Sequence, residues 1–263
     1  METYIVSALK YRPQTFQEVL GQKAITQTLE NAIEKNQLAQ ALLFCGPRGV
    51  GKTSCARILA KKINSQDKND SNEDFAFNIF ELDAASNNSV DDIRNLNEQV
   101  RIPPQVGTHK IYIIDEVHML SIGAFNAFLK TLEEPPKHVI FILATTEKQK
   151  IIPTILSRCQ TYDFKRISVK DCKAHLKTIA KDQKIEFEEE ALDLIAQKAD
   201  GALRDALTIY DRMVSFTNRS LTVKSVSKNL NLLDHDTFFL VTELVLNHNI
   251  PSLLLTFDEL LQK

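Results

Sequence analysis

Gly46-Pro47-Arg48-Gly49-Val50-Gly51-Lys52-Thr53 follows directly on the apolar run Ala41-Leu42-Leu43-Phe44-Cys45. The eight residues match G-x-x-x-x-G-K-[ST], the phosphate-binding loop. Glycines are required because successive backbone N–H groups must turn inward around a phosphate, where side chains would obstruct and left-handed dihedrals would be penalised. Lys52 then meets the phosphate charge, and the Thr53 hydroxyl is placed to hold Mg²⁺. Residues 54–62 beyond the loop carry the apolar spacing of a helix. Its N-terminal dipole would face the phosphates. A chance glycine-rich turn would lack this strand before it and this helix after it.

Four further short apolar runs, 79–82, 111–114, 139–144 and 160–164, read as strands separated by helical patterns. That alternation predicts an α/β fold with a parallel sheet covered on both faces and ligand at the carboxyl ends of the strands. The run Ile111-Tyr112-Ile113-Ile114 ends in Asp115-Glu116. It describes a buried strand delivering two carboxylates beside the phosphate loop of a neighbouring strand. Asp115 would bind Mg²⁺, and Glu116 would polarise the water that attacks a γ-phosphate. An acidic pair after a strand is commonplace by itself, but it follows the loop here by about 60 residues, as an NTPase requires.

The rest of the chain sets bounds. With 263 residues and 43% apolar content it can build one large domain or two to three small ones. A net charge of -2 argues against coating nucleic acid by bulk charge, so any DNA contact must be a local patch. The start, Met1-Glu2-Thr3-Tyr4, lacks a basic and apolar leader, and no run reaches the ~20 apolar residues of a bilayer span, so no membrane partner and a cytoplasmic location are expected. Cys45, Cys55, Cys159 and Cys172 are scattered without C-x-x-C pairing and read as reduced, mostly buried thiols. Residues 64–74 turn polar without periodicity and read as a solvated loop.

After about residue 166 the strand signals stop. Ser168 with Asp171 reads as a capping box for a helix over 168–182, followed by helices over 188–199 and 202–216. Thr222 and Asp234 are N-cap candidates for two more, and Pro251 suits the first turn of a last one. The carboxyl third is thus predicted all-helical. It ends inside an apolar helical pattern, so the sequence reads as a piece of a longer protein.

One family combines these motifs. Residues 115–121, Asp-Glu-Val-His-Met-Leu-Ser, with Phe125-Asn126-Ala127-Phe128-Leu129-Lys130-Thr131-Leu132-Glu133-Glu134-Pro135-Pro136, resemble the gamma/tau ATPase subunits of the bacterial DNA polymerase III clamp loader. The likeness extends to Tyr11-Arg12-Pro13, Asp83-Ala84-Ala85-Ser86, Ala144-Thr145-Thr146, Ser157-Arg158-Cys159 and Gly201-Ala202-Leu203-Arg204-Asp205-Ala206-Leu207. It implies an AAA+ ATP-binding core over 1–166 with a five-stranded sheet, a helical lid over 167–228, and the beginning of a helical collar over 229–263. Implied nucleotide contacts are Tyr11, Arg12 and Pro13 around the adenine, and Gly46, Arg48, Gly49, Val50, Gly51, Lys52, Thr53 and Ser54 around the phosphates. Thr146 is implied as a γ-phosphate sensor and Arg204 as a second sensor on the lid, with Mg²⁺ on Thr53 and Asp115. The implied catalytic set is Glu116, Lys52 and Arg158, the last a finger supplied in trans to a neighbouring subunit. The residues alone do not show which way Arg158 points, and a structural ion pair is the other reading.

Implied partners are the other loader subunits in a hetero-oligomer, a pentamer, together with the sliding clamp and primer-template DNA. A fragment without a whole collar is expected to be monomeric and a poor ATPase. Arg94 and Arg101, on the helix predicted over 89–101, would track DNA phosphates. The same helix reads as a solvated face balanced by Asp91, Asp92 and Glu98. Two departures stand out. Residues 63–80 contain no cysteine where many members carry a four-cysteine zinc module, so no zinc is expected, and Leu9 replaces a usual basic residue. Another AAA+ motor, a helicase or remodeller, and a non-hydrolysing scaffold subunit are the alternatives. The Ser-Arg-Cys and Leu-Glu-Glu-Pro-Pro segments speak against the first, and the intact Lys52, Thr53, Asp115 and Glu116 against the second.

Overall fold

The structure, a computed structural model, describes residues 5–65, 75–217, 219–230 and 235–261. In chain order the elements are α1 (Ser7–Lys10), α2 (Lys23–Glu34), β1 (Ala41–Cys45), α3 (Lys52–Ser65), β2 (Ile79–Asp83), α4 (Val90–Val100) and β3 (Lys110–Asp115). Then follow α5 (Ile122–Glu133), β4 (Val139–Thr145), α6 (Pro153–Leu156), β5 (Gln160–Asp163) and α7 (Val169–Asp182). The chain closes with β6 (Glu186–Phe187), α8 (Glu189–Lys198), α9 (Leu203–Phe216), β7 (Ser220–Leu221), α10 (Val223–Asn229), α11 (His235–Leu246) and α12 (Ile250–Leu261).

All five predicted strands form one parallel sheet in the order β2-β3-β4-β1-β5. Parallel strands buried on both faces read as continuous apolar runs, which is why β1 and β4 show no alternation and are buried at every residue. Alternate side chains still go to opposite faces. Leu42, Phe44, Ile111, Ile113, Ile140 and Ile142 join Leu29 and Ile33 of α2 and Cys55, Ile58 and Leu59 of α3. On the other face Leu43, Tyr112, Ile114, Phe141 and Leu143 pack against Ile93 and Leu96 of α4 and Phe125, Phe128 and Leu132 of α5. A third core holds α7, α8 and α9 together through Leu176, Ile179, Leu192, Ile195, Leu207 and Tyr210.

Caps fix where helices begin. Ser89, Ser121, Ser168 and Thr222 each accept the N3 backbone N–H of α4, α5, α7 and α10, a contact contributing ~1 kcal/mol apiece. At Ser168 the reciprocal half of the predicted box is replaced by a hydroxyl-to-carboxylate bond from Ser168 Oγ to Asp171 Oδ2 at 2.8 Å. Asp234 lies outside the described residues, whereas Pro251 does sit in the first turn of α12.

Three expectations need correction. The carboxyl third is helical except for β6 and β7, which pair in parallel, Glu186 with Ser220 and Phe187 with Leu221. Two residues per strand give no periodicity to read. Asn64 is not in a solvated loop but buried in the last turn of α3, where its Oδ1 accepts the His109 N–H at 3.4 Å; residues 66–74 lie outside the description. Finally, β3 does not neighbour β1, because β4 stands between them. Its carboxylates reach the loop through α3, which packs across β3 and β4.

Candidate nucleotide site

The phosphate loop leaves β1 at its carboxyl end and turns into α3, with Gly46, Gly49 and Gly51 at φ of 146°, 73° and 101°. Gly46 is the tightest: a Cβ there would stand 2.4 Å from the Phe164 carbonyl oxygen. Lys52 is buried at 6% exposure, and its ammonium donates to the Gly46 and Pro47 carbonyls at 2.8 Å each. Burial pulls its pKa below the ordinary lysine value, with the Glu116 and Asp115 carboxylates acting in the opposite direction. A phosphate entering the loop would meet this partly desolvated cation.

Thr53 Oγ1 donates to Asp115 Oδ2 at 2.7 Å. This hydrogen bond brings the loop and the acidic strand end to one point, and two hard oxygen ligands side by side are what a magnesium ion requires. The next residue, Glu116, takes a left-handed backbone (φ 47°, ψ 43°), uncommon for a side chain with a Cβ and costing about 1 kcal/mol or more. Its Oε2 accepts the Thr146 N–H at 3.2 Å and the Thr146 hydroxyl at 2.9 Å.

These groups open onto a cleft of about 980 Å³. Its phosphate end is lined by Arg48, Gly49, Val50, Gly51, Lys52, Thr53, Ser54, Asp115 and Glu116. Its other end is largely apolar and assembled from distant segments: Val6, Leu9, Tyr11, Pro13, Val19, Leu20, Ile167, Leu203 and Leu207, with Arg12 among them. Arg204 also lines the cleft, in the first turn of α9, and its backbone N–H reaches the Gly49 carbonyl at 3.4 Å. The carboxyl-terminal helices thus touch the phosphate loop directly.

Most of the predicted residues converge there. Gly46 does not line the cleft but accepts from the Lys52 ammonium, and Thr146 joins through Glu116. Arg158 does not line the cleft: its guanidinium donates to Glu133 Oε1 at 2.6 Å and to the Thr154 carbonyl at 2.7 Å. Within one chain, then, it is an ion pair. Arg94 is exposed on α4 and paired to Asp91 at 3.0 Å, and Arg101 is exposed at that helix's end. Burial pushes the thiols of Cys45, Cys159 and Cys172 up to about 11 and that of Cys55 to about 12, as inert thiols require.

Sequence reasoning missed several cleft residues. Arg57 of α3 and Glu81 of β2 form a two-pronged ion pair at 2.5 and 2.6 Å on the cleft wall. Asp211 of α9 accepts both the N–H and the hydroxyl of Ser7, at 2.7 and 2.5 Å, tying α1 to the carboxyl-terminal helices. Tyr11 likewise donates to Asp182 at 2.5 Å. No local pattern announces partners so far apart.

Comparison with known proteins agrees with this geometry. A family model described as "DNA polymerase III, delta subunit" matches residues 21–168, and one for the "DNA polymerase III clamp loader subunit, ATPase lid domain" matches 171–219. DNA polymerase III subunit tau of Bacillus subtilis is 44% identical over 96% of this chain and 47% of its own length. Subunit gamma of Buchnera aphidicola from Baizongia pistaciae is 40% identical over 97% of this chain and 72% of its own. The chain belongs to the gamma/tau family of DNA polymerase III clamp-loader subunits. Escherichia coli subunit tau, 42% identical over 94% of the chain, is covered over 40% of its length, so this chain spans about half or less of the tau relatives. The fold is shared with the Thermotoga maritima RuvB Holliday junction branch migration motor at a TM-score of 0.66 and 20% identity, over 91% of this chain and 80% of that one. That likeness is one of fold alone, and the gamma/tau family is set apart from that motor by sequence.

Proposed function

We propose that this chain is the ATP-hydrolysing part of a clamp-loader subunit, which uses ATP to open a ring clamp and place it on primed DNA. The observation that carries the reading is the 2.7 Å bond from Thr53 to Asp115 in a chain of this family, because it assembles loop, metal ligands and base at one cleft. In this reading the AAA+ core spans 1–166, the lid 167–228 and the start of a collar 229–263. Tyr11, Arg12 and Pro13 take the adenine side, and the loop through Ser54 takes the phosphates.

Thr53 and Asp115 would hold Mg²⁺, which when bound neutralises charge on the phosphate oxygens. Glu116 accepts a proton from the attacking water, Lys52 meets the γ-phosphate charge, and Thr146 reads the phosphate through its contact with Glu116. Arg204 adds a cation from the lid. Because it sits on a separate set of helices, ATP favours the arrangement in which those helices close on the loop. Arg158 completes the site of a neighbouring subunit, leaving Glu133 as it does so; such fingers contribute about 10³ to 10⁵ in rate. Hydrolysis would then require a hetero-oligomer, a pentamer of loader subunits, and the piece alone would be monomeric and nearly inactive. Arg94 and Arg101 contribute DNA phosphate contacts, no zinc is held, and the location is the cytoplasm.

The test is steady-state ATP hydrolysis by the full-length protein assembled with its partner subunits, with and without clamp and primer-template. Joint stimulation that is lost by at least about 10³-fold in Arg158→Ala is the expected result. A rate indifferent to clamp and DNA would reject the clamp-loading reading, and an Arg158→Ala assembly with full activity would leave the arginine as the intrachain ion pair seen here.

A further inference from the structure

Glu116 is gripped by groups that no phosphate-loop or acidic-strand motif includes. Besides the two Thr146 donors, His118 brings Nδ1 to 3.3 Å from the same Oε2 oxygen. The other carboxylate oxygen, Oε1, has no hydrogen bond among the described residues, and Glu116 lines the cleft. The His118 ring is held by burial, with its side chain 6% exposed, and by the hydrogen bond between Nδ1 and the Thr145 hydroxyl. Nε2 stands 3.3 Å from Glu147 Oε1, and the Thr145 hydroxyl is 3.1 Å from Nδ1. Glu147 is anchored in turn by Lys150 at 2.8 Å and donates its own N–H to Thr145 Oγ1 at 3.0 Å. Lys150 and the nearby imidazole hold the Glu147 carboxyl below the usual carboxylate range.

We infer that His118 is a positioning residue for Glu116. It pins one carboxylate oxygen against Thr146 so that the other faces the cleft, where the attacking water must stand. The physical argument is preorganisation. A carboxylate on a left-handed residue at a cleft wall can turn about its last torsion, and each turn away from the water removes the base from reach. Gripping Oε2 from two sides removes that freedom before ATP arrives. The ring, carried on the 3-10 turn Val117–Met119 directly after the strand end, transmits the position of Glu147 and Lys150 to the base. The inference deepens the proposed function and rests on its reading of Glu116 as the base.

The experiment uses the full-length chain assembled with its partner subunits, clamp and primed DNA, and measures single-turnover ATP hydrolysis together with the ATP Kd. His118→Phe fills the slot without a donor, and His118→Asn places an amide nitrogen where Nδ1 stands. The expected result is a 10- to 100-fold lower hydrolysis rate for the Phe variant with Kd within about twofold of the original, and recovery to within about fivefold by Asn. Three results would each overturn the inference: a Phe variant as fast as or faster than the original, a loss carried by Kd as much as by rate, or an Asn variant no better than Phe. Glu116→Gln, run alongside, separates the two levels. An active Glu116→Gln removes the base reading itself, whereas an inactive one beside a fully active His118→Phe removes only the role of His118.

Discussion

The two ends of the cleft are built by different means. The phosphate end is made by backbone: one contiguous loop with three glycines at positive φ, a strand end, and a single side-chain bond from Thr53 to Asp115. The apolar end, where we propose the base sits, is made by side chains from places far apart in sequence. The α1 segment leads into Tyr11, Arg12 and Pro13 and is held by Asp211 and Asp182, which belong to α9 and α7. One end is therefore rigid by local geometry, and the other exists only while the amino-terminal segment stays docked on the carboxyl-terminal helices. The difference predicts that damage at the phosphate end abolishes binding of any polyphosphate, while damage at the base end weakens binding of the nucleoside alone.

The strongest break is Lys52→Ala. Removing the buried ammonium takes away the loop's desolvated charge and leaves only the exposed Arg48 as a cation there, so ATP and inorganic tripolyphosphate should both lose 100-fold or more in Kd, about 3 kcal/mol. Titration calorimetry with both ligands checks this. Retained tripolyphosphate affinity would mean that the backbone amides alone make the site. Hydrolysis in the assembled complex falls with it.

Gly46→Ala attacks the same end through stability. A methyl group there meets the Phe164 carbonyl oxygen at 2.4 Å and the Phe164 Cβ at 2.9 Å, on a residue whose φ of 146° side chains rarely adopt. Backbone cannot give way as a flexible side chain does, so the loop and the segment after β5 must separate. A loss of about 2 to 4 kcal/mol in denaturant unfolding is expected. A loss under about 0.5 kcal/mol would show that the loop is softer than its glycines imply.

The same contrast explains what the sequence discloses. The loop, the carboxylates of Asp115 and Glu116, all five sheet strands and the caps at Ser168 and Thr222 were legible, since each depends on neighbours within a few residues. Sheet order was not: apolar runs reveal strands but carry no mark that β4 lies between β1 and β3. The β6–β7 pair was invisible because two residues make no pattern. Ser7 and Asp211, 204 positions apart, carry no sequence feature that joins them, nor do Arg158 and Glu133. The buried grip of His118 on Glu116 was equally hidden, because a histidine three residues after an acidic strand end has the same spacing whether its ring points in or out.

Asp211 offers the finest test of the base end. Its carboxylate accepts the Ser7 N–H through one oxygen and the Ser7 hydroxyl through the other, and Ser7 is 1% exposed. Asp211→Ala leaves a buried N–H and a buried hydroxyl without these acceptors, a cost of about 1 to 3 kcal/mol that α1 escapes by undocking. ATP affinity should then fall about fivefold while tripolyphosphate affinity stays the same, because only the base has lost its wall. Asp211→Asn discriminates further. Its amide oxygen can still accept the Ser7 N–H, and its NH₂ can donate to the second lone pair of the Ser7 hydroxyl, which already accepts from Gln183 Nε2 at 3.2 Å, so that only the hydroxyl proton loses its acceptor. The Asn variant should therefore bind ATP within about twofold of the original protein. If it instead matches Ala, charge rather than hydrogen bonding holds the segment. If neither variant changes the ratio of ATP to tripolyphosphate affinity, the docking of α1 does not shape the base end, and the two halves of the cleft are less different than their construction implies.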